Sequence, residues 1–298
     1  MSVRFVSNCR APLRLATRGS NLALWQARHV AARLRDLHPG LAIELIIISS
    51  SGDGDHATPL YKMGNVGIFV KEVQQALVDG RADIGVHSMK DLPTDEPDGL
   101  YVAAILKRAD PRDVLVGASS IAALPKGALV GTSSLRRQAQ LQHLRPDLQF
   151  TSIRGNVETR LRKVRAGDVA ATLMAYAGLK RLGLLRQADA APLNAWDVCT
   201  PAPAQGAVAV DCRANDQRTA QLLSELHHCE TATAVTIERT VLAGLAGGCS
   251  LPLGCFAQRI EGRWFARARL GQPYGLREVT VSGSACDLPA KILKQLST

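Results

Sequence analysis

Along the first two-thirds of the chain, apolar positions switch repeatedly between short β-branched runs and helical spacing. The run at 41–48 reads as a buried strand. Ahead of it, Ser20 is placed to cap a helix whose apolar face uses Leu24, Trp25, Ala27, Ala31 and Leu34. Phe69, Val73, Ala76 and Leu77 make the next helical stripe, and 82–86 reads as a short strand after the Asp79-Gly80 turn. Leu129 and Val130 lead through a Ser/Thr cluster into a helix carrying Leu135, Ala139 and Leu144. Residues 149–153 pass through Gly155-Asn156 into a helix with Val157, Leu161 and Val164, and 169–173 is another buried strand. Strands alternating with helices predict parallel sheets covered on both faces, an α/β class.

The pattern breaks at 199–206, where two prolines and a glycine stop any helix. A strand resumes at 207–211. An amphipathic helix over 231–245 runs into Gly247-Gly248-Cys249, followed by short strands near 255–260, 263–270 and 278–282 and a final helix over 288–296. This last part reads as a separate small α+β unit. The length of 298 residues suits two or three domains.

Composition narrows the partners. The chain is 46% hydrophobic and 21% charged, enough to bury a core. Aromatics at 4% argue against a stacking platform for single-stranded nucleic acid. Lys plus Arg (36) exceeds Asp plus Glu (26) by 10, so an anionic partner is expected. No recognisable nucleic-acid module accompanies that charge, and no nucleic-acid partner is expected. No run approaches the roughly 18 consecutive apolar residues of a membrane span. The first residues are broken by Arg4, Asn8 and Arg10 before any signal-like apolar stretch, so a cytoplasmic protein without membrane attachment is expected. The seven cysteines (9, 199, 212, 229, 249, 255 and 286) form no C-x-x-C pair, which fits reduced thiols. Neighbouring helix residues do not face one ligand point, so His227-His228-Cys229 reads as a helix start and no metal site is expected.

Candidate chemistry gathers where strands end. Arg18 precedes the first helix, and Lys90-Asp91 follows the strand ending at Val86. Arg136-Arg137 follow Gly131-Thr132-Ser133-Ser134, Arg154 follows Ile153, Arg160 and Arg162 lie on the next helix, and Lys180-Arg181 follows the strand ending near Leu173. Open α/β sheets bind ligands outside the carboxyl ends of their strands. Arginine forks pair with carboxylates through two parallel hydrogen bonds. The hydroxyls and helix-start N–H groups at 131–134 suit the same anions. An ionised Asp91 among these cations repels carboxylate substrates. Its presence suggests another job, such as stabilising a cation that develops during reaction.

Five stretches occur in order: Val86-His-Ser-Met-Lys-Asp91, Gly131-Thr-Ser-Ser-Leu-Arg-Arg137, Arg154-Gly-Asn-Val-Glu-Thr-Arg160, Ala177-Gly-Leu-Lys-Arg-Leu-Gly183 and Gly247-Gly-Cys249. With Ala16-Thr-Arg18 and Ser20…Ala23-Leu-Trp-Gln26, they closely resemble the hydroxymethylbilane synthase (porphobilinogen deaminase) family from about residue 13 to about 256. The resemblance implies two periplasmic-binding-protein-like (type II) lobes plus a small α+β C-terminal domain. The implied bounds are 1–106 with 200–224, then 107–199, then 225–298. It further implies a monomeric transferase of porphyrin and heme biosynthesis with porphobilinogen as substrate. A dipyrromethane cofactor would be joined by a thioether to Cys249. Four porphobilinogen units would add in turn, each losing ammonia, before water releases the linear tetrapyrrole. By match to the family motifs, Asp91 is the catalytic carboxylate. Arg18, Ser20, Lys90, Thr132, Ser134, Arg136, Arg137, Arg154, Arg160 and Arg181 bind the acidic side chains of cofactor and substrate.

The chain departs from the family pattern in four places. Val66 stands for a lysine in Gly64-Asn-Val-Gly67, and Ser50-Ser-Gly-Asp53 replaces Thr-x-Gly-Asp. Ala246 stands for a glutamate before the Gly-Gly-Cys loop, and Ala204 for a glycine in Pro201-Ala-Pro-Ala-Gln-Gly206. These departures bear on rate and processivity. Those at 66, 204 and 246 also support the alternative reading, a non-catalytic binding protein for a polycarboxylate on the same two-lobed fold.

Overall fold

The computed structural model describes residues 11–48, 70–245 and 251–297. The first sheet is built around β1 (Leu13–Arg18), which pairs in parallel with β2 (Ile43–Ile48) and β3 (Ile84–Ser88). Between β1 and β2 runs α1 (Asn21–Leu37), capped by Ser20, whose Oγ accepts from the Ala23 N–H at 3.3 Å. Ala27, Val30, Ala31 and Leu34 of this helix are buried against Leu15, Ile84 and Val86. Burial of Val30 or Leu34 contributes on the order of 1.5–3 kcal/mol each, and an alanine methyl about 0.8 kcal/mol. Leu24 and Trp25, expected on that face, are only half-buried. The next helix, α2 (Lys71–Val78), buries Val73, Ala76 and Leu77 as the stripe predicts, while Phe69 lies outside the described residues.

The strand order is β2-β1-β3-β10-β4, with β4 (Leu100–Ile105) at one edge and β10 (Val208–Arg213) antiparallel to both β3 and β4. After β4 the chain crosses to a second sheet of order β7-β6-β8-β5-β9. Its strands are β5 (Asp113–Val116), β6 (Leu129–Gly131), β7 (Gln149–Thr151), β8 (Ala171–Ala175) and β9 (Ala191–Pro192). Here β6 pairs in parallel with β7 and β8, and β5 is antiparallel to β8 and β9. Each sheet thus holds, in fourth place and antiparallel, the strand that adjoins a crossing between lobes: β5 after the outward crossing and β10 after the return. The sheets are therefore mixed, not purely parallel, because the two crossings bring the chain back in the opposite sense.

Helices α3 (Leu135–Leu144), α4 (Val157–Arg165) and α5 (Tyr176–Arg181) belong to the second lobe, and α6 (Gln217–Ser224) packs beside β4 and β10. The third unit is a meander of β11 (Leu253–Ile260), β12 (Arg263–Gln272) and β13 (Gly275–Gly283). Its core of Ile237, Val241, Leu253, Ala266, Val281 and Leu288 is shared with α7 (Cys229–Gly244) and α8 (Leu288–Ser297). The molecule is two α/β lobes, each built on a five-stranded mixed sheet, with a small α+β C-terminal domain.

Two local expectations change. The run at 41–48 is an edge strand, not a buried one. Only Ile48 within β2 is buried, and Ile47 is 60% exposed. In α3 the buried face carries Arg136, Arg137, Gln140 and Leu141, while Leu135 and Leu144 are exposed. The apolar stripe of that helix faces outward because its inward positions are occupied by paired charge. No helix among the described residues is long and apolar enough to cross a membrane.

Candidate active site

Strand ends and the helix starts after them carry the expected residues. β1 ends at Arg18, two residues before the cap Ser20. β3 ends at Ser88 and passes straight into one 3-10 turn, Met89–Asp91. Arg18, Ser20, Gln26, His87, Ser88 and Asp91 line one cleft of about 80 Å³. Gln26 and Ser88 bond one another there, with Gln26 Nε2 donating to Ser88 Oγ at 2.9 Å. His87 is held from behind, its Nε2 3.0 Å from Asp211 Oδ1, and Gln74 Nε2 donates to the other Asp211 oxygen at 3.0 Å. Burial alone would raise the Asp211 pKa, but His87 and Gln74 outweigh it and hold the carboxylate below its ordinary range.

The second lobe supplies the cations. Ser134 caps α3 by accepting from the Arg137 N–H, and its own N–H donates to Oγ1 of buried Thr132 at 3.2 Å. Arg136 and Arg137 are 5% and 7% exposed. Arg136 Nη1 donates to Asp113 Oδ2 (2.6 Å) and to the Thr200 carbonyl (2.7 Å). Arg137 Nη2 donates to Asp113 Oδ1 (2.7 Å), and its Nη1 to the Leu173 carbonyl (2.8 Å). Both forks are thus turned onto Asp113, and they act on the cleft through the charge they set beside Lys90 and Arg160. Desolvation opposes ionisation of Asp113, yet the two guanidinium groups prevail and drop its pKa far below the usual carboxylate range. Arg154 follows Ile153, and Asn156 caps α4, on which Arg160 Nε donates to the Gly155 carbonyl at 3.0 Å. Arg181, in the last turn of α5, donates to the Gly206 carbonyl at 2.8 Å and lies 5.5 Å over the Trp25 ring of the first lobe. Asn21 Nδ2 donates to Glu158 Oε1 at 2.8 Å across the same seam.

The surroundings disfavour the charged form of these cations. Burial first, then Arg137 and Arg136, push Lys90 down to about 8 against the pull of Asp91 and Asp113. Burial, then Arg137 and Arg154, push Arg160 down to about 10, and burial brings Arg181 to about 10. Cations held this unfavourably gain from any ligand that delivers several carboxylates. The donor set, mostly arginine with one lysine and two hydroxyl-bearing turns, fits a dipyrromethane, whose pyrrole rings carry acidic side chains. Cys249 lies outside the described residues, as do Val66, Ala246 and the Ser50–Asp53 stretch. Among the described thiols, Cys199 is pushed up to about 12 by burial and then by Asp113, and burial raises Cys255 well above its ordinary value. Both are poor nucleophiles.

Residues 13–221 match the profile described as porphobilinogen deaminase, dipyromethane cofactor binding domain. The chain belongs to the porphobilinogen deaminase family. Residues 232–297 match the porphobilinogen deaminase C-terminal domain, so the family covers all three structural units. Membership makes the chain a transferase of the porphyrin and heme pathway that uses a dipyrromethane cofactor. Among solved structures, the chain is 15% identical to the periplasmic aliphatic sulphonate binding protein SsuA from Escherichia coli (TM-score 0.39), covering 80% of this chain and 71% of that one. It is 10% identical to a putative L-cystine ABC transporter from Listeria monocytogenes (TM-score 0.39), covering 73% and 89%. At these scores neither likeness adds to the family assignment.

Several residues of this cleft and its surroundings are not marked out by the sequence as binding groups. Asp113 was legible as a lone carboxylate opening the apolar run at 113–116, and Gln205 as the one polar side chain in a Pro/Ala/Gly stretch. Gln26, Ser88 and His87 carried no local signal beyond lying in the quoted motifs.

Proposed function

We propose that this chain is a hydroxymethylbilane synthase. It joins four porphobilinogen units head to tail onto a dipyrromethane primer tethered to Cys249 and releases the linear tetrapyrrole with water. The observation that carries this reading is the set of half-buried cations, Lys90, Arg160 and Arg181, that accompanies the carboxylate of the 3-10 turn. In each addition the C–N bond of the substrate's aminomethyl group breaks and nitrogen leaves as ammonia. A carbon–carbon bond forms from the methylene carbon, and the attacked ring sheds its α-hydrogen as a proton. When bound, the dipyrromethane supplies the first free α-carbon nucleophile.

The protein's own groups do the rest. Lys90, Arg18, Arg154, Arg160 and Arg181, with the hydroxyls of Ser20, Thr132 and Ser134, take the acetate and propionate groups. Arg136 and Arg137 keep the floor of the cleft positive. Asp91 accepts from pyrrole N–H groups and offsets the positive charge that develops as ammonia departs. Such a preorganised counter-charge stabilises the transition state more than the neutral ground state.

Intact mass spectrometry of the purified protein, combined with a porphobilinogen-dependent ammonia assay, tests this. The expected result is a mass above that of the chain by one dipyrromethane, absent in Cys249→Ser, with ammonia released as porphobilinogen disappears. Porphobilinogen left unconsumed, or turnover by a protein with an unmodified Cys249, overturns it.

A further inference from the structure

Lys90 and Asp113 stand on different lobes, and one side chain joins them. Gln205 sits on the return crossing and is 1% exposed. Its amide nitrogen donates to the Pro111 carbonyl at 2.7 Å and to Asp113 Oδ1 at 2.9 Å. Both neighbours only accept, so the reversed amide would set oxygen against oxygen, and the orientation is fixed by chemistry. The amide oxygen is left facing Lys90, whose Nζ donates to it at 3.4 Å. Asp113 is in turn held by Arg136 and Arg137. The main chain of the same crossing holds two further cations: Gln205 O accepts from Arg108 Nε and Gly206 O from Arg181 Nη2, both at 2.8 Å.

We propose that Gln205 is the positioning residue for Lys90: its amide, oriented by Asp113 of the second lobe, supplies the acceptor that fixes the Lys90 ammonium beside Asp91. This rests on the reading of the cleft as the reaction site, which gives Lys90 its task of taking a substrate carboxylate. The groups that act on Lys90 are Asp91 and Asp113, which favour its charge, and Arg137 and Arg136, which oppose it. Against two arginines, a neutral acceptor holds the ammonium in place without cancelling the charge the substrate needs.

Gln205→Met keeps the side-chain volume and removes the acceptor. Competitive labelling of the purified protein with trace acetic anhydride across neutral to alkaline pH, read by mass spectrometry of the Lys90 peptide, gives the Lys90 titration midpoint without any turnover. Loss of one hydrogen bond to the ammonium is expected to lower that midpoint by about 0.7 unit, roughly fivefold. The alkaline limb of kcat/KM for porphobilinogen should fall by the same amount, with KM carrying the loss. An unchanged midpoint in the folded variant, with activity lowered equally at every pH, makes Gln205 merely structural and overturns the proposal. Should Gln205→Met not fold, Gln205→Leu replaces it: it too removes the acceptor and must lower the midpoint, and an unmoved midpoint is equally fatal. A wild-type protein that consumes no porphobilinogen sinks the assigned activity, while the labelling midpoint still decides the role of Gln205.

Discussion

Asp91 projects from a turn of three residues that begins where β3 ends, so its carboxylate is placed by a strand and not by a long loop. Replacing it should leave the fold intact, since the surrounding turn is anchored by buried Met89 and Leu92. Asp91→Asn keeps the shape and removes the charge. It is expected to lower kcat by about a hundredfold to a thousandfold, the scale of losing one aimed electrostatic partner of a transition state, with the melting temperature unchanged. Full turnover in Asp91→Asn would remove the counter-charge role. Its neighbour Lys90 gives a pH signature. Its folded value of about 8 lies below the ordinary 10.5, so the unfolded chain holds this proton more tightly. The group by itself therefore favours folding more as pH rises from 8 toward 10.5. Binding runs the other way, because the anion needs the ammonium. Affinity for porphobilinogen, measured as 1/KM, should weaken as pH rises through about 8, with a proton taken up on binding above that pH. An affinity flat into the alkaline range would show that Lys90 does not contact the substrate.

At the scale of elements, α3 is the informative case. Its inward face is Arg136, Arg137, Gln140 and Leu141, and the two arginines close on Asp113 of β5. Breaking a buried pair by removing one partner's charge costs about 3–5 kcal/mol, because the remaining cations are stranded away from water. Asp113→Asn should lower the urea midpoint by a corresponding amount, with m unchanged; a loss under about 1 kcal/mol would mean that water reaches the arginines. The same helix shows how far the sequence could be read. Its start was legible from Ser134, whose cap is observed, and so was the convergence of cations on strand ends. The buried side was not, because periodicity ranks residues by apolarity and cannot see an arginine whose partner lies 23 positions away on another strand. For β2, a β-branched run alone does not separate a central strand from an edge. The family's glycine position at Ala204 is a third instance: Ala204 adopts φ +63 and is fully buried. The left-handed backbone costs alanine about 1–2 kcal/mol. Burial of its methyl (about 0.8 kcal/mol) and a less free unfolded chain (about 0.4–1 kcal/mol) offset most of that. Ala204→Gly should therefore shift stability by less than about 1 kcal/mol in a thermal melt, and a larger gain would mean the backbone there is strained beyond its φ value.

For the whole molecule, one fully buried carboxylate links the three units. Glu238 of α7 accepts from Arg108 on the outward crossing (2.6 and 3.0 Å), from the Ala204 N–H on the return crossing (2.6 Å) and from the Ala257 N–H of β11 (2.8 Å). Arg108 also stacks 5.4 Å from the Phe256 ring, and its main-chain N–H donates to Thr231 Oγ1 at 3.0 Å. The helix that carries Glu238, α7, is thus tied to both crossings through this side chain. Glu238→Gln keeps the size, loses the charge and turns one acceptor into a donor that faces N–H groups. It strands the Arg108 cation and at least one main-chain N–H, so a loss of about 3–5 kcal/mol is expected. The loss should also be local first, at the main-chain N–H groups of Ala204 and Ala257 that the carboxylate holds. In hydrogen-exchange mass spectrometry, the segments containing Ala204 and Ala257 should gain exchange before the strands of either lobe. Exchange that rises uniformly across the chain would instead make Glu238 an ordinary core ion pair, with the third unit held to the crossings by its other bonds, such as Arg108 N–H to Thr231 Oγ1 and Cys255 N–H to the Pro201 carbonyl.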